Sequence, residues 1–297
     1  MKVLITGAAG GVARYVTAAL EAEHELRLLD CVDPEEATIF GGAVRQKVPL
    51  RTQWPYVRAD ILDEDAMLAA CEGMDAMIHL AADPTGLPEH GKAIMTLNVV
   101  GTYVAVDAAR KAGLQRFFCA SSINAFGTIY WRLSGRPSPY TSMPLAEDFP
   151  TVEEDPYSLS KRANEDTCAA FTRAYGITTA AFRFAGVRGP EAYEQQRAAM
   201  GPTTAWSDDL YQWVHAEDIA GGLKAALECP TLPEFGVYTL SGPDTRCPEP
   251  TMEILEGFRP DLAANLTEEL PGRAPLMSIA KARQTFGYDP QYRLIDD

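Results

Sequence analysis

Tyr157 and Lys161 form a pair that could move a proton. They are spaced i, i+4, so on a helix both side chains would project from one face. A phenol with its ordinary pKa of about 10 must be shifted downward to act as a base near neutrality, and an ammonium one turn away favours the phenolate. Ser122, at the end of an earlier apolar segment, could place a hydroxyl on the same substrate oxygen. The three residues predict proton transfer to or from an alcohol; the alternative is a tyrosine and a lysine on a helix surface.

A second group of small residues could hold a dinucleotide. Gly7, Gly10 and Ala13 are spaced Gly-x-x-Gly-x-x-Ala between an apolar segment, 3–6, and an amphipathic pattern, 11–22. Gly7 permits a tight turn, Gly10 lets the backbone approach a pyrophosphate, and Ala13 lets the helix pack closely with its N-terminus facing the anion. The alternative is a glycine turn that only joins a strand to a helix. The residues expected to contact the pyrophosphate are Gly7, Gly10, Gly11 and Val12.

The ends of the following strands supply candidates for binding the adenosine. Asp30 could accept hydrogen bonds from the ribose hydroxyls, and its charge would repel the extra phosphate of NADP, so NAD is favoured. Arg27 and Arg45 keep NADP possible. His79 lies inside an apolar segment and is expected to be a packed core residue. The other residues expected near the adenosine are Asp60, Ile61, Leu80, Ala81 and Ala82.

Short apolar segments alternate with helical patterns through about the first 185 residues. This alternation predicts βαβ units and a parallel sheet with helices on both faces, a Rossmann-like doubly wound α/β fold. The predicted strands are 3–6, 25–29, 56–59, 76–80, 116–120 and 178–184. The predicted helices are 11–22, 64–71, 94–112 and 157–175. Such a fold binds its ligands at the carboxyl ends of the strands, where the glycine turn, Asp30 and Ser122 would meet.

Beyond residue 185 the pattern becomes irregular. Glycine and proline are frequent, and only 218–228 and 251–258 predict clear helices. We expect a dinucleotide-binding Rossmann domain, 1–185, and a smaller irregular C-terminal lobe, 186–297, with some of its chain returning to the sheet. A lobe of this kind would cover the carboxyl edge of the sheet and build the substrate pocket.

The composition fits a globular enzyme and disfavours several other classes. The chain of 297 residues is 46% hydrophobic, enough for one or two cores. Its 26 basic and 41 acidic residues give a net charge of -15, which would repel nucleic acid and anionic lipid. The six cysteines are far apart without a Cys-x-x-Cys spacing, so neither a metal site nor a disulfide framework is expected. A cytoplasmic location is expected, because the sequence shows no signal segment and no long apolar run.

Taken together, the motifs resemble the extended short-chain dehydrogenase/reductase family, also called the NAD-dependent epimerase/dehydratase family. The resemblance covers most of the chain, and its ordered motifs are specific for the fold. The matching motifs are Thr6-Gly7-x-x-Gly10-x-x-Ala13, Asp30, Asp60-Ile61, His79-Leu80-Ala81-Ala82, Asn98-Val99-x-Gly101-Thr102, Ser121-Ser122, Tyr157-x-x-x-Lys161, Arg183, Val214-His215-x-x-Asp218 and Phe286-Gly287-Tyr288-x-Pro290.

The resemblance implies roles for these residues. NAD would be the cofactor, Val187 would lie near its nicotinamide, and Asn98 would brace the active site. The catalytic residues would be Ser122, Tyr157 and Lys161, with the last two also contacting NAD. The family commonly dimerises through a four-helix bundle, which here would be formed by helices 94–112 and 157–175.

Two departures from the family bear on the substrate. Members that act on nucleotide sugars usually have an arginine that binds the diphosphate. In this chain that position is occupied by Tyr211. The segment between Gly189 and Trp213 is also short, and looks more like the uronate-dehydrogenase branch, which oxidises a free sugar acid. A carboxylate or phosphate clamp could come from arginines, although each could equally be a solvated surface residue. The arginines considered are Arg132, Arg136, Arg183 and Arg188, and the other substrate candidates are Ser122, Asn124 and Trp213.

The favoured function is therefore a dehydrogenase or reductase acting on a sugar or sugar acid. An epimerase that retains its NAD is the main alternative, because the same residues could act twice on a rotated keto intermediate. Dehydratases of the family carry an Asp-Glu pair where this chain has Ile123-Asn124, which disfavours elimination. A non-catalytic dinucleotide sensor is disfavoured because it would have little use for Ser122, Tyr157 and Lys161.

Overall fold

The computed structural model describes residues 1–41, 44–128 and 132–295. The fold is built from short parallel strands and the helices that connect them. The strands are β1 (Lys2–Thr6), β2 (Glu25–Asp30), β3 (Thr38–Gly41), β4 (Val44–Lys47), β5 (Tyr56–Arg58), β6 (Ala76–His79), β7 (Arg116–Ser122), β8 (Thr178–Phe184), β9 (Val187–Arg188), β10 (Val214–His215) and β11 (Phe235–Leu240). The helices are α1 (Gly11–Leu20), α2 (Glu64–Cys71), α3 (Gly91–Met95), α4 (Gly101–Lys111), α5 (Pro156–Tyr175), α6 (Pro190–Ala198), α7 (Ala216–Glu228), α8 (Thr251–Phe258), α9 (Pro260–Ala263) and α10 (Ala280–Phe286).

The central sheet has the strand order β11-β8-β7-β6-β1-β2-β5, and every neighbouring pair in it is parallel. From β1 the chain builds the sheet outward through β2 and β5, and then returns to the other side through β6, β7, β8 and β11. The order reverses next to β1, and such a switch point leaves a crevice at the carboxyl ends of the strands. The fold is the predicted Rossmann-like doubly wound sheet.

Hydrophobic layers cover both faces of the sheet, because successive residues of a strand point to opposite sides. In β1, Val3 and Ile5 join the larger cluster, in which α1 and α7 pack together. Leu4 points the other way, into a cluster that also contains residues of α2 and α4. Burial on both faces explains why these strands are almost continuously apolar in sequence.

The observed elements differ from the predicted ones in several places. Strand β7 extends through Ser122, so this residue ends a strand. The helical segment predicted at 94–112 contains a wider π-helical turn, Thr96–Val100, between α3 and α4. The β3–β4 hairpin and β11 were not predicted, although β11 forms an edge of the central sheet.

The part of the chain after residue 185 contributes to both the sheet and the lobe. β11 pairs with β8, and α7 packs against α1, so these two elements belong to the layers of the central sheet. The division into 1–185 and 186–297 stays a prediction. No helix within the described residues is long and apolar enough to cross a membrane.

Candidate active site

The turn after β1 can be formed only with glycine at position 7. Gly7 has a φ of +70°, in the left-handed region. A Cβ there would lie 2.7 Å from the backbone nitrogen of Ala81, which follows β6. Gly10 donates its N–H to the carbonyl of Gly7 at 3.0 Å, and α1 begins at the next residue. The turn therefore brings the N-terminus of α1 to the carboxyl edge of the sheet, where an anion is favoured.

Asp30 lies beside this turn at the end of β2. Its Oδ2 accepts from Ala9 N at 3.0 Å, and its Oδ1 accepts from Val32 N at 3.1 Å. These bonds fix the carboxylate next to the glycine turn, where it can also accept from a ribose. Arg27 is directed elsewhere, because its Nη1 donates to the carbonyls of Ala70 and Glu72. The side chain of Arg45 lies outside what the structure describes.

The other residues predicted to contact the adenosine also lie at strand ends. Asp60 follows β5, and its Oδ1 accepts from Leu62 N at 3.0 Å. Ile61 is buried under Gly101, where a Cβ would come within 2.5 Å of Ile61 Cδ1. The residues after β6, Leu80, Ala81 and Ala82, are half-buried beside the glycine turn.

His79 is a core residue. Its ring is buried, with Nδ1 2.8 Å from Thr6 Oγ1 and Nε2 3.3 Å from Thr102 Oγ1. Burial, aided by the nearby charge of Lys161, lowers the pKa of His79 to about 3. The imidazole is therefore neutral at physiological pH and adds no second charge near Lys161.

Helix α5 presents Tyr157 and Lys161 to the end of β7. Asp155 caps the helix by accepting from the N–H groups of Tyr157 and Ser158, each at 2.9 Å, and Pro156 suits the first turn. Lys161 Nζ donates to the carbonyl of Ala120 at 2.8 Å and lies 5.4 Å from the centroid of the Tyr157 ring. The lysine is only 3% exposed, so its ammonium is held in place next to the phenol.

Ser122 stands at the end of the strand to which Lys161 is bonded. Its hydroxyl accepts from the N–H of Asn124 at 3.1 Å, and the side chain is 9% exposed. The backbone bond uses one lone pair of the hydroxyl and leaves its proton available to a substrate oxygen. Ser122 thus lies at the end of β7, two residues beyond the carbonyl that accepts from Lys161.

Asn98 connects the loop after β6 to α5. Its Oδ1 accepts from Asp83 N at 2.8 Å, and its Nδ2 donates to Asp83 O at 2.9 Å and to Ser160 Oγ at 3.0 Å. Ser160 in turn donates to the carbonyl of Tyr157 at 2.7 Å. Asn98 lies in the π-helical turn, a feature that often occurs at functional sites. Asn98 is thus linked to the backbone of Tyr157 through Ser160.

The comparison with protein families agrees with this geometry. A model of the NAD dependent epimerase/dehydratase family matches residues 3–240. The chain belongs to this family. NAD is the family's cofactor, and the residues present fit it: the glycine turn excludes side chains, and a Cβ on Gly11 would meet no atom closer than 3.9 Å, which leaves the N-terminus of α1 open.

Individual relatives in the epimerase/dehydratase family differ in activity. The uronate dehydrogenase of Pseudomonas syringae pv. tomato is 28% identical over 81% of this chain and 74% of its own length. YtcB of Bacillus subtilis, described as an uncharacterized UDP-glucose epimerase, is 23% identical over 100% of this chain and 95% of its own. A short-chain dehydrogenase/reductase superfamily protein from Agrobacterium tumefaciens, crystallised with bound NAD, shares the fold with a TM-score of 0.70 at 20% identity, covering 99% of this chain and 94% of that one.

Arg183, a residue of the family pattern, is part of the protein interior. Its Nε and Nη2 each donate to Glu165 at 2.8 Å, and its guanidinium lies 4.2 Å from the centroid of the Phe126 ring. Ser121 also donates to Glu165, at 2.7 Å. Arg183 is 2% exposed, so this ion pair gives it a structural role and removes it from the substrate candidates. Glu165 went unnoticed in the sequence, although its position one turn after Lys161 on the same helix face could have revealed it.

Trp213 is likewise removed from the substrate candidates. Its side chain is fully buried, and Nε1 donates to the carbonyl and Oδ1 of Asp244 at 3.0 and 3.1 Å. The neighbouring Val-His motif has a similar role, because Asp218 accepts from the N–H groups of Gln291 and Tyr292. Burial raises the pKa of Asp218 to about 6. The motif anchors the C-terminal segment to α7.

The remaining substrate candidates lie in different places. Asn124 is buried two residues after Ser122. Arg132 forms an ion pair with Glu154 at 2.7 Å, and Arg136 is exposed. Arg188 is half-buried in β9, next to Val187. Asn124 therefore lies just beyond the end of β7, and Arg188 lies in the short strand that follows β8.

Proposed function

We propose that this protein is an NAD-dependent oxidoreductase that transfers a hydride between nicotinamide and a hydroxyl or carbonyl of a sugar or sugar acid. The observation that carries the proposal is the position of Lys161, which is bonded to the carbonyl of Ala120 and lies against the ring of Tyr157. The proposal is also supported by Ser122, which ends β7 at the carboxyl edge of the sheet, the edge at which the glycine turn follows β1.

In the oxidative direction, the phenolate of Tyr157 takes the proton of the substrate hydroxyl while the carbon loses its hydride. Lys161, held by the carbonyl of Ala120, keeps a positive charge beside the ring of Tyr157 during this step. Ser122 donates to the same oxygen and orients it toward Tyr157. NAD, when bound, supplies the carbon that accepts or returns the hydride. In the reductive direction Tyr157 returns the proton.

Positioning of these groups depends on bonds that do not involve the substrate. The bond from Lys161 to Ala120 ties α5 to β7, and the bonds of Asn98 and Ser160 tie it to the loop after β6. β7 and the loop after β6 therefore hold α5, and with it Tyr157, in place before the substrate binds. A catalytic group that is held in this way has a high effective concentration. Val187, at the start of β9, is proposed to contact the nicotinamide end of the site.

Absorbance at 340 nm tests the proposal directly. Purified protein is mixed with NAD and, in separate reactions, with free sugars, uronates and polyols. Net formation of NADH is the expected result. An isomerised product without net NADH would instead identify the epimerase that YtcB exemplifies by name. Dinucleotide binding without either reaction would contradict both activities. The same assay with NADP decides whether Asp30 selects NAD.

We also propose that the protein forms a homodimer. Val100, Tyr103, Leu159 and Tyr175 are large hydrophobic side chains, each about half exposed, in the segments predicted to form the dimer. We call them the α4–α5 apolar face. They support a homodimer formed through 94–112 and 157–175. A cytoplasmic location stays a prediction from the sequence.

A further inference from the structure

Glu165 is a fully buried carboxylate on α5, one helical turn beyond Lys161. Its Oε1 accepts from Ser121 Oγ at 2.7 Å and from Arg183 Nε at 2.8 Å. Its Oε2 accepts from Arg183 Nη2 at 2.8 Å and lies 3.5 Å from Arg162 Nη1. Both oxygens are therefore in use, and the two contacts with one guanidinium fix the plane of the carboxylate.

The strands β7 and β8 bring the donors to Glu165 together. Ser121 and Arg183 are register partners, so their side chains point to the same face of the sheet, the face on which α5 packs. Arg183 also donates its Nη1 to the carbonyl of Glu147 at 3.4 Å, and its guanidinium lies over the ring of Phe126. Because several groups hold the guanidinium, it holds Glu165 in one orientation from the side of β8.

Two directional bonds connect α5 with consecutive residues of β7. Lys161 donates to the carbonyl of Ala120, and Glu165 accepts from the hydroxyl of Ser121. The two helical residues are four apart, roughly 6 Å along the helix axis, so the pair of bonds restricts both the position and the tilt of the helix. Apolar contacts farther along α5 are not directional and do not set its position as closely.

The bond to Ser121 lies where the sheet gives little support. β7 ends at the next residue, Ser122, whose register partner Phe184 is also the last residue of β8. The ends of elements open more easily than their centres. A buried ion pair adds little net stability over well-packed apolar side chains, and its best-attested use is to specify one arrangement.

We propose that Glu165 is a positioning residue for the reaction. By bonding to Ser121, it fixes the end of β7, and with it Ser122, against the helix that carries Tyr157. Arg183 keeps Glu165 in the orientation that this bond requires. The inference rests on the proposed function and extends it to a buried group that touches neither substrate nor cofactor.

Two variants that each remove one buried hydroxyl test this role. Ser121→Ala removes the bond to Glu165 and leaves the ion pair with Arg183 intact. Thr179→Val is the control, because Thr179 donates to the carbonyl of Cys168 at 3.0 Å and so also ties a strand to α5. This second bond lies near the start of β8, at the opposite end of the sheet from the catalytic residues. Thermal melting confirms that both variants are folded.

The turnover number separates positioning from stability. For Ser121→Ala, kcat measured by formation of NADH should fall about 10–100-fold, the effect of a displacement of about 1 Å at a reacting group. The KM values for NAD and for the substrate should stay close to wild type, because the change affects the transition state more than binding. Thr179→Val should keep the wild-type kcat. The positioning role is overturned if Ser121→Ala keeps the wild-type kcat, if only its KM values rise, or if Thr179→Val loses as much kcat.

A spectroscopic measurement tests the positioning of the phenol without turnover. In NAD-saturated protein labelled with ¹³C at Cζ of tyrosine, the NMR signal of Tyr157 is identified by its absence from Tyr157→Phe. It should shift in Ser121→Ala and stay in place in Thr179→Val, and an unshifted signal in Ser121→Ala would refute the positioning role. If wild type forms no NADH, the oxidoreductase is refuted, and a signal that shifts only in Ser121→Ala still retains the positioning role.

Discussion

A single oxygen atom on Tyr157 carries the proposed chemistry, so Tyr157→Phe is the sharpest change available at the scale of residues. The variant keeps the ring against which Lys161 lies, and removes only the group that exchanges the proton. Turnover measured at 340 nm should fall roughly 10²–10⁴-fold, the usual contribution of a positioned general acid or base. NAD affinity, measured by quenching of protein fluorescence, should change little.

Tyr175→Phe is a matched control, because Tyr175 is an exposed tyrosine at the other end of α5. It should retain wild-type turnover. Wild-type turnover in Tyr157→Phe as well would show that the phenol does not take part in the reaction.

His79 predicts how acid affects the stability of the protein. Its pKa is lowered from 6.5 to about 3 by burial, so the unfolded chain binds a proton below pH 6.5 that the folded protein does not. The contribution of neutral His79 to the free energy of unfolding is therefore complete above pH 6.5 and is lost as the pH falls toward 3. Between pH 7 and 5 the loss should be about 2 kcal/mol, since one pKa unit corresponds to about 1.4 kcal/mol.

Denaturant unfolding of His79→Gln at pH 7 and pH 5 measures this contribution. Glutamine can still bond to Thr6 and Thr102 but does not titrate, so the difference between the two pH values should shrink by about 2 kcal/mol. His90→Gln, at an exposed position, should leave the difference as it is in wild type. An unchanged pH dependence in His79→Gln would mean that other groups cause the acid sensitivity.

At the scale of elements, the turn between β1 and α1 is tightly constrained by the backbone that follows β6. Gly7 and Gly113 both have positive φ, +70° and +80°, but only Gly7 has backbone atoms within van der Waals distance of its Cβ position. Gly113→Ala should therefore cost only the strain of a left-handed residue, about 1–2 kcal/mol. Gly7→Ala should cost more, because the residues after β6 must also move.

The two alanine variants are distinguished by NAD binding as well as by denaturant unfolding. Gly7→Ala should bind NAD weakly, since the displaced turn no longer presents the N-terminus of α1 to the pyrophosphate. Gly113→Ala should bind it like wild type. Equal NAD affinity in both variants would contradict the placement of the dinucleotide at this turn.

The elements that the sequence predicts well are those with local signals. The start of α5 follows from Asp155-Pro156, and β1 follows from an apolar segment that ends in glycine. The strand β11 was missed although Val237, Tyr238 and Thr239 favour a strand, because it lies in a region where glycine and proline make the pattern irregular. It contains Gly236, over which the Tyr238 side chain folds, and it is a strand because β8 offers an edge to pair with.

The same distinction applies to the candidate site. Tyr157 and Lys161 could be predicted because their spacing alone places them together on a helix. The interior position of Arg183 could not be predicted, because its pairing with Glu165 depends on how α5 packs against β8. Likewise, nothing in the sequence indicates that Gln212 accepts from the N–H of Gly186, a bond that joins the segment before β10 to the end of β8.

At the scale of the whole molecule, the α4–α5 apolar face is the feature that a monomer does not explain. Tyr103 and Tyr175 both pack against Phe171, with ring centroids 5.3 Å apart in each case, so they belong to one continuous aromatic surface. A contiguous apolar surface of this kind commonly marks a protein interface. The net charge of -15 makes two copies of the chain repel each other at their charged surfaces. Association is therefore favoured at the α4–α5 apolar face over other surfaces.

Replacement of Leu159 by glutamate should convert the dimer to a monomer. Leu159→Glu places a charge in the centre of the proposed interface, where it would be buried opposite its own symmetry-related copy, and both desolvation and repulsion oppose association. Light scattering after size exclusion should give twice the chain mass for wild type and the chain mass for the variant. Leu133→Glu, the same change at an exposed leucine outside the two helices, should remain a dimer. Because Leu159 lies on the exposed side of α5 and Lys161 on the buried side, a monomeric Leu159→Glu that still forms NADH would show that each catalytic site is complete within one chain.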